Sequence, residues 1–269
     1  MALDRTPDGG WTPGGPSLFA SRAFAALDAR VTVVTNLEDA FDASVLAGIE
    51  LRASPGDLPR YANSYDTEGN RTQLLLAEGD ELKVTPHLRP NESPDLVFVT
   101  PAYHEFRQAP LRFKGSVVGV SLQGPLRTAD GCGRVTRHPE PLAVASRFLR
   151  RGWVGFFSDE DSADPEGLGR HINTLGAVAV LTRGHNGATL FDSDGSQHHW
   201  DALSASPVDP TGAGDCFASA FLLRLAETEE LASAMRFALA AGALAVESTG
   251  LAGIATREAI ESRMTQGGA

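Results

Sequence analysis

The sequence predicts an α/β fold of three layers, with helices on both faces of a mainly parallel central sheet. Short apolar runs recur along the chain and alternate with segments of helical character. The spacing between these runs leaves room for the crossover connections that parallel strands need. The chain has 269 residues and 42% hydrophobic content, which suits one domain with a large core. We therefore expect a single domain over residues 1–269.

The N-terminal half begins with a predicted loop, because residues 1–13 are polar and rich in glycine and proline. A helix follows Gly14-Gly15, since the next apolar residues share one face. Residues 61–76 form a predicted hairpin, in which two strand-forming runs flank a polar turn. The other elements predicted in this half are strands 31–35, 48–51, 96–100 and 116–121 and a helix over 39–47.

The C-terminal half continues the alternation of apolar strands and helices. Alanine-rich helical spacing predicts a helix over 231–247, and an amphipathic helix starts directly after Gly212. The strands predicted in this half are 154–157 and 177–182, followed by an antiparallel pair at 188–191 and 198–200.

The segment Asp209–Phe221 is a turn of small residues that leads through a carboxylate into an amphipathic helix. The N–H groups of Gly212, Ala213 and Gly214 can converge at the helix start, where the first donors are unpaired and the helix dipole is positive. Such an arrangement binds anions. Asp215 lies beside it and can accept a proton as general base, so the pattern indicates phosphoryl transfer to a hydroxyl.

A plainer interpretation of this segment is a tight turn followed by an acidic first helical turn. The two better-known phosphate loops do not apply to it. Gly-x-x-x-x-Gly-Lys-Ser/Thr is absent from the sequence, and Gly212–Phe217 lacks the third glycine of a dinucleotide-binding fingerprint. Asp209 is expected to shape the turn.

Composition excludes some classes of protein. The net charge of −11 argues against a nucleic-acid-binding protein, which needs a basic face. No apolar run reaches the ~18 residues that a membrane helix needs, and we expect no secretory signal. Cys132 and Cys216 have no Cys-x-x-Cys partner, so we expect no zinc site and a cytoplasmic location.

The segment Asp209–Phe221 resembles, residue for residue, the C-terminal signature of the ribokinase-like (pfkB) carbohydrate kinases. Further similarities extend over about residues 14–260, in the double glycine Gly14-Gly15, the hairpin segment 63–73, the turn 182–188 and the glycine loop 250–253. The resemblance implies a ribokinase-like fold and an ATP-dependent kinase acting on a hydroxyl of a small sugar or polyol. It also implies that the acceptor binds the N-terminal half and ATP the C-terminal half.

The resemblance further implies a role for each matching residue. Asp215 is the general base, and the backbone of Gly212, Ala213 and Gly214 forms the anion hole. The remaining implied roles are acceptor binding by Asp4, Gly14, Gly15, Asn63 and Gln73, ATP binding by Thr182, Gly184, Asn186 and Gly187, and water-mediated Mg²⁺ binding by Glu160.

Each of these assignments has an alternative. The match at Glu160 is partial, because Phe157 stands where the family has asparagine, and a solvated acidic helix start would give the same sequence. Gly14-Gly15 is also compatible with an ordinary helix entry, and Asn63 and Gln73 with the solvent side of a hairpin.

Three departures from the family pattern bear on function. The family's opening strand is either missing or reduced to a tail at Met1–Asp4, so either the start is truncated or the fold has adapted. The short stretch between Asp4 and Gly14 leaves little room for a lid, so we expect the lid to be reduced or absent and the protein to be a monomer or weak dimer. Residues 14–21 read Gly-Gly-x-x-x-Phe-x-Ser, which is more similar to the inositol kinases of the family.

Two other functions stay open. One is a catalytically impaired relative that binds a nucleotide or sugar as a sensor, although a pure binding protein would not need Asp215. The other is a nucleoside kinase, for which the hairpin offers no clear aromatic clamp beyond Tyr61 and Tyr65. We expect neither a nucleic acid nor a membrane as partner.

Overall fold

The computed structural model describes residues 1–65, 71–89, 92–108 and 115–266. Its strands are β1 (Ala2–Arg5), β2 (Trp11–Gly14), β3 (Thr32–Leu37), β4 (Glu50–Pro55), β5 (Arg60–Tyr65), β6 (Arg71–Ala77), β7 (Leu96–Val99), β8 (Val117–Ser121), β9 (Arg127–Ala129), β10 (Val135–Arg137), β11 (Val154–Ser158), β12 (Val178–Thr182), β13 (Ala188–Phe191) and β14 (Gln197–Trp200). Its α-helices are α1 (Pro16–Ala26), α2 (Pro141–Phe148), α3 (Pro165–Thr174), α4 (Ala213–Thr228), α5 (Leu231–Ala245) and α6 (Arg257–Gln266).

The main sheet has six strands in the order β14-β13-β12-β11-β8-β7. Strands β7, β8, β11 and β12 are parallel, and β13 and β14 add an antiparallel edge. Successive side chains of a strand point to opposite faces, and both faces of this sheet are apolar. The predicted mainly parallel sheet is therefore confirmed.

Helices cover both faces of the main sheet. On one face Phe157 and Leu181 pack with residues of α2 and α3. On the other face Phe156 and Val180 pack with residues of α4 and α5, including Phe221. Because neighbouring residues of one strand enter different cores, the molecule has the three layers predicted from the sequence.

A small second sheet has the strand order β2-β1-β5-β6. The loop predicted for residues 1–13 is wrong, because these residues form the hairpin β1–β2. The turn closes through a hydrogen bond from Thr6 N to Gly10 O of 3.0 Å, with Gly9 at φ 87°. Parallel pairing of β1 with β5 fixes the hairpin, and this long-range contact overrides the loop-like composition.

The other local predictions agree in part with the structure. The predicted hairpin at 61–76 is confirmed by the antiparallel pairing of β5 and β6, and its turn at 66–70 lies outside the described residues. The helix predicted over 39–47 is only a short 3₁₀ helix at Ala43–Leu46, which Asp42 caps through Ser44 N. Helix α6 was not predicted, because a single buried residue ties it to the core.

Helix α1 packs across two sheets. In the described residues, β3 pairs with β4 alone and β7 with β8 alone. The ring of Phe24 meets that of Phe98 on β7 edge to face, at 6.3 Å between centroids, and Leu18 packs with Val33 on β3. Helix α1 therefore links the N-terminal elements to the main sheet.

Among the described residues, no helix combines the length and the apolar character that a membrane span requires.

Candidate active site

The site forms at the carboxyl edge of the main sheet, where parallel strands direct the following loops to one side. Strands β8, β11 and β12 end at Ser121, Ser158 and Thr182. Ser158 and Thr182 are paired in register, and Leu122 N donates to Phe156 O at 2.8 Å. The loops after these three strands are therefore neighbours.

The start of α4 offers unpaired backbone donors. Gly212 has φ 77°, a left-handed conformation that favours glycine, and a Cβ there would overlap the ring of Phe19. Ala213 N–H donates to Pro210 O at 3.2 Å, so it is used by the turn. In the described part of the chain, the N–H groups of Gly214 and Asp215 have no such partner. These two amides are available to an anion.

Asp209 holds this turn in place. Its Oδ1 accepts from Thr211 N and its Oδ2 from Gly250 N, each at 2.9 Å. The expectation that Asp209 shapes the turn agrees with these contacts.

Asp215 is half-buried in the first turn of α4. Loss of hydration raises its pKa to about 7, although the positive charges of Arg127 and the Met1 amino group oppose that rise. A carboxyl group with a pKa near neutrality is suited to accept a proton at physiological pH. The next residue, Cys216, is buried, and burial raises its thiol pKa to about 12, which fits a packing role.

The structure brings the five predicted acceptor residues together. Asn63 Nδ2 donates to Asp4 Oδ1 at 2.8 Å, and Gln73 Nε2 donates to Asn63 Oδ1 at 2.9 Å. Gly14 lies against this chain of polar groups, because a Cβ there would overlap the Asp4 carboxylate. Gly15 has φ 87° and lies against the backbone of β1. We call Asp4, Asn63 and Gln73 the polar triad.

Helix α1 connects the polar triad to the anion-binding turn. It begins directly after Gly15, and one turn later Phe19 lies against Gly212. Ser219 Oγ of α4 also donates to Ala20 O at 3.4 Å. The acceptor residues and the start of α4 are thus held in one framework.

The acidic turn after β11 carries the predicted Glu160 and the neighbouring Asp161 in different surroundings. Glu160 is exposed, and its backbone carbonyl accepts a hydrogen bond from Arg137 Nε at 2.6 Å. Asp161 is buried, and its Oδ2 accepts from Ser158 N at 2.8 Å and Ser158 Oγ at 3.0 Å. Burial raises the pKa of Asp161 and the charge of Arg127 lowers it.

Metal ligands are sparse at the site. Within the described ranges, no three His, Cys, Asp or Glu side chains are grouped so that they could hold a metal ion. A magnesium ion here would take most of its ligands from water and phosphate, which matches its usual behaviour. The second oxygen of Asp161 and the exposed Glu160 are the acidic groups that this turn can offer.

The four residues predicted to bind ATP lie at the end of β12 and in the turn that follows it. Thr182 is half-buried, and Asp159 N donates to its backbone oxygen at 3.1 Å, which places it beside the acidic turn. Gly184 and Asn186 are exposed on a short 3₁₀ helix. Gly187 is buried with φ 83°, and a Cβ there would overlap the Trp200 carbonyl, so the tight turn into β13 explains this glycine.

Two residues of the candidate site, Arg127 and Asp161, are not predicted from the sequence. Each follows a predicted strand of the main sheet on its carboxyl side, which is where open α/β sheets bind ligands. Their position after the carboxyl ends of strands was the signal by which sequence reasoning could have found them. The direction of the side chains was needed to separate Asp161 from Glu160.

Comparisons with known proteins agree with this geometry. Residues 153–257 match the family described as pfkB family carbohydrate kinase. The chain is 26% identical to ribokinase of Bacillus subtilis over 267 residues, which cover 94% of this chain and 88% of the ribokinase.

Two solved structures share the fold. Ribokinase of Arabidopsis thaliana, complexed with ribose and ATP, has a TM-score of 0.70 and 15% identity, with 98% of this chain and 96% of that chain covered. A pyrophosphate-dependent kinase of the ribokinase family, complexed with a pyrophosphate analog and myo-inositol, has a TM-score of 0.69 and 17% identity, with 97% and 96% covered. The match of residues 153–257 to the pfkB family carbohydrate kinases and the ribokinase-like fold both agree with the family resemblance found in the sequence.

Proposed function

We propose that this carbohydrate kinase transfers the γ-phosphoryl group of ATP to a hydroxyl of a small sugar or polyol. One observation carries the proposal. Asp215, whose pKa is about 7, lies next to unpaired N–H groups at the start of α4, and α1 joins that helix start to the polar triad. A base, an anion site and a set of hydroxyl-binding groups are thus combined. Residues 1–269 would act as one kinase domain.

The polar triad suits an acceptor with several hydroxyl groups. A carboxylate accepts hydrogen bonds from hydroxyls, and side-chain amides both donate and accept them. Ribose and myo-inositol, the acceptor-type ligands named for the two related structures, are both hydroxyl-rich rings. Together with the inositol-kinase-like pattern at 14–21, this supports a cyclic sugar or polyol.

The chemical step follows from these positions. The acceptor oxygen attacks the γ-phosphorus and its proton passes to the Asp215 carboxylate. A new oxygen–phosphorus bond forms while the bond between the γ-phosphorus and the bridging oxygen breaks, and ADP leaves. The N–H groups of Gly214 and Asp215 stabilise the charge on the phosphoryl oxygens, and the backbone of Gly212 and Ala213 forms the turn that presents them.

The donor would occupy the C-terminal half. We place the nucleotide along Thr182, Gly184, Asn186 and Gly187, with its phosphates directed to the start of α4. The related Arabidopsis ribokinase was solved with ATP, which supports this donor. Because another relative was solved with a pyrophosphate analog, inorganic pyrophosphate belongs in the test.

Magnesium would be held at the acidic turn by Glu160 and Asp161, acting through water. The Asp161 carboxylate fits this role, since only its Oδ2 is engaged by Ser158. When bound, the ion would neutralise charge on the donor phosphates.

The experiment is an acceptor panel. ADP or phosphate release is measured with magnesium, with ATP or pyrophosphate as donor, and with pentoses, hexoses, inositols and nucleosides as acceptors. Asp215→Asn is measured alongside, and Asp39→Asn, which changes an exposed carboxylate in the connection between β3 and β4, is the matched control.

We expect turnover with a sugar or polyol that Asp39→Asn retains and Asp215→Asn loses by at least about a thousandfold. Turnover with nucleosides alone would change the acceptor class. Binding of ATP without turnover of any acceptor would instead favour a sensor.

A further inference from the structure

Arg127 is an arginine that the kinase step described above leaves without a role. It opens β9 and its side chain is half-buried. Its backbone oxygen accepts a hydrogen bond from His104 Nε2 at 2.9 Å, but within the described residues its guanidinium has no hydrogen bond or ion pair. A guanidinium carries five N–H donors and stays charged, so a partly desolvated one without partners is costly.

The other arginines show how unusual this is. In the part of the chain that the structure describes, every other half-buried arginine has a polar partner. Arg183 pairs with Glu166 and Arg263 with Glu247, each at 2.7 Å. Arginines without partners are otherwise exposed to water, as Arg134 is.

The backbone places Arg127 at the candidate site. Arg127 lies opposite Arg137 in the β9–β10 pair, and Arg137 Nε contacts the Glu160 carbonyl at 2.6 Å. The hairpin therefore lies over the acidic turn after β11. Its other side reaches the small sheet through the bridge between Leu74 and Arg134. Arg127 thus stands between the acidic turn and the small sheet.

Two carboxylates lie within the electrostatic reach of Arg127 without pairing to it. Its positive charge acts on both Asp215 and Asp161, yet neither comes within the 4.0 Å of an ion pair. The start of α4 is open beside Gly214, because in the described part of the chain no atom outside its chain neighbours and its own helix backbone stands within 4 Å of where a Cβ would be. A guanidinium and two unpaired backbone amides are donors of the kind that bind a tetrahedral anion.

We propose that Arg127 binds the terminal phosphoryl group of the donor, opposite the N–H groups of Gly214 and Asp215, and neutralises its charge during transfer. This role rests on the proposed kinase function and adds no bond change to it. The acceptor oxygen still forms the new bond to phosphorus, the bridging oxygen still leaves, and the proton still goes to Asp215. Arg127 would contact the reacting group directly, because a fork of donors matches phosphate oxygens.

Two simpler roles predict different behaviour. If Arg127 only lowered the pKa of Asp215, its removal would shift the pH profile of the reaction and leave donor binding unchanged. If it only held the β9–β10 hairpin, its removal would lower the melting temperature and weaken all ligands alike.

The experiment compares ligands that differ in the terminal phosphoryl group. Dissociation constants for β,γ-imido-ATP, ADP and inorganic pyrophosphate are measured by calorimetry with magnesium, on the full chain. The variants are Arg127→Gln, Arg127→Lys and the matched control Arg134→Gln, an exposed arginine of the same hairpin. Thermal melts check that each variant is folded.

We expect Arg127→Gln to weaken imido-ATP binding at least tenfold and ADP binding less than twofold. We also expect kcat to fall by about a hundredfold or more. Arg127→Lys should lie in between, because it keeps the charge and loses the fork, while Arg134→Gln should behave as wild type. If Arg127→Gln does not fold, the dissociation constants of Arg127→Lys for imido-ATP and ADP decide whether Arg127 has this role.

Equal weakening of imido-ATP and ADP, or no weakening of imido-ATP or pyrophosphate, would overturn the role of Arg127. A failure of the Arg127 proposal can be distinguished from a failure of the proposed kinase function. Acceptor turnover that depends on Asp215, with donor binding independent of Arg127, would leave the kinase in place. Arg127-dependent binding without turnover of any acceptor would leave the anion site and remove the proposed reaction.

Discussion

At the scale of single residues, the local surroundings of Asp215 determine its chemistry. The carboxylate lies in the first turn of a helix, which by itself favours the charged form. Loss of hydration is the larger effect and raises its pKa to about 7. The folded protein therefore holds at neutral pH a group that can either accept or release a proton.

The pH dependence of the reaction follows from this pKa. The general base must be deprotonated, so kcat/KM for the acceptor should rise with pH, through a midpoint near 7, and then level off. Initial rates between pH 5 and 9 at saturating donor would measure it. A rate that is flat over this range, or that falls as pH rises through 7, would contradict Asp215 as the base.

The same pKa predicts an effect on stability. The folded-state pKa of Asp215 is about 7 against an ordinary value of 3.8, so between these pH values the folded state holds a proton that the unfolded state lacks. Wild-type stability should therefore fall as pH rises through this window. Asp215→Asn cannot ionise and should be more stable than wild type, by about 1–2 kcal/mol or roughly 2–8 °C in Tm at pH 8.

Thermal melts of wild type, Asp215→Asn and Asp39→Asn at pH 5 and pH 8 would measure this effect. The advantage of Asp215→Asn should be larger at pH 8 than at pH 5, and Asp39→Asn should show no such difference. An advantage that is larger at pH 5 would mean that the folded-state pKa is not raised.

At the scale of elements, the turn before α4 depends on the helix that packs against it. Gly212 needs both its left-handed conformation and the absence of a side chain, because the ring of Phe19 occupies the adjacent space. Phe19 belongs to α1, which also abuts β1 through Gly15. The anion site is therefore shaped by contacts between elements that are distant in sequence.

Gly212→Ala should consequently damage both stability and turnover. The left-handed conformation alone costs an alanine about 1–2 kcal/mol, and the overlap with Phe19 must displace the turn. Gly195→Ala is a matched control, because Gly195 has φ 90° but open space around it. We expect Gly212→Ala to lower kcat/KM at least about a hundredfold and Gly195→Ala to lower Tm alone. Equal activity of the two variants would show that the turn does not form the anion site.

Elements also show what the sequence could and could not predict. The segment Asp209–Phe221 is local, so its glycines and carboxylate could be recognised directly. Residues 1–13 could not, because β2 pairs with β1 and β1 is stabilised by pairing with β5, far along the chain. The acidic turn was located, but the choice between Glu160 and Asp161 depends on which side chain faces inward. Arg127 was missed because its importance comes from a half-buried guanidinium that has no polar partner in the described residues. Only the folded structure shows this.

At the scale of the whole molecule, residues from both halves of the chain contribute to one site. The polar triad comes from the small sheet. Asp215 lies in the first turn of α4, which covers one face of the main sheet, and the anion-binding turn leads into this helix. Helix α1 joins them. This division agrees with a kinase whose acceptor and donor approach from different sides and meet at Asp215.

The most direct test of this account is a single-turnover measurement of phosphoryl transfer to the acceptor identified by the panel. Enzyme in excess over γ-labelled ATP is mixed with acceptor, quenched at intervals and analysed for labelled product, for wild type and Asp215→Asn. We predict rapid labelling of the acceptor by wild type, and labelling slowed by at least about a thousandfold in Asp215→Asn with nearly unchanged ATP binding. Transfer by Asp215→Asn at the wild-type rate would contradict the central claim.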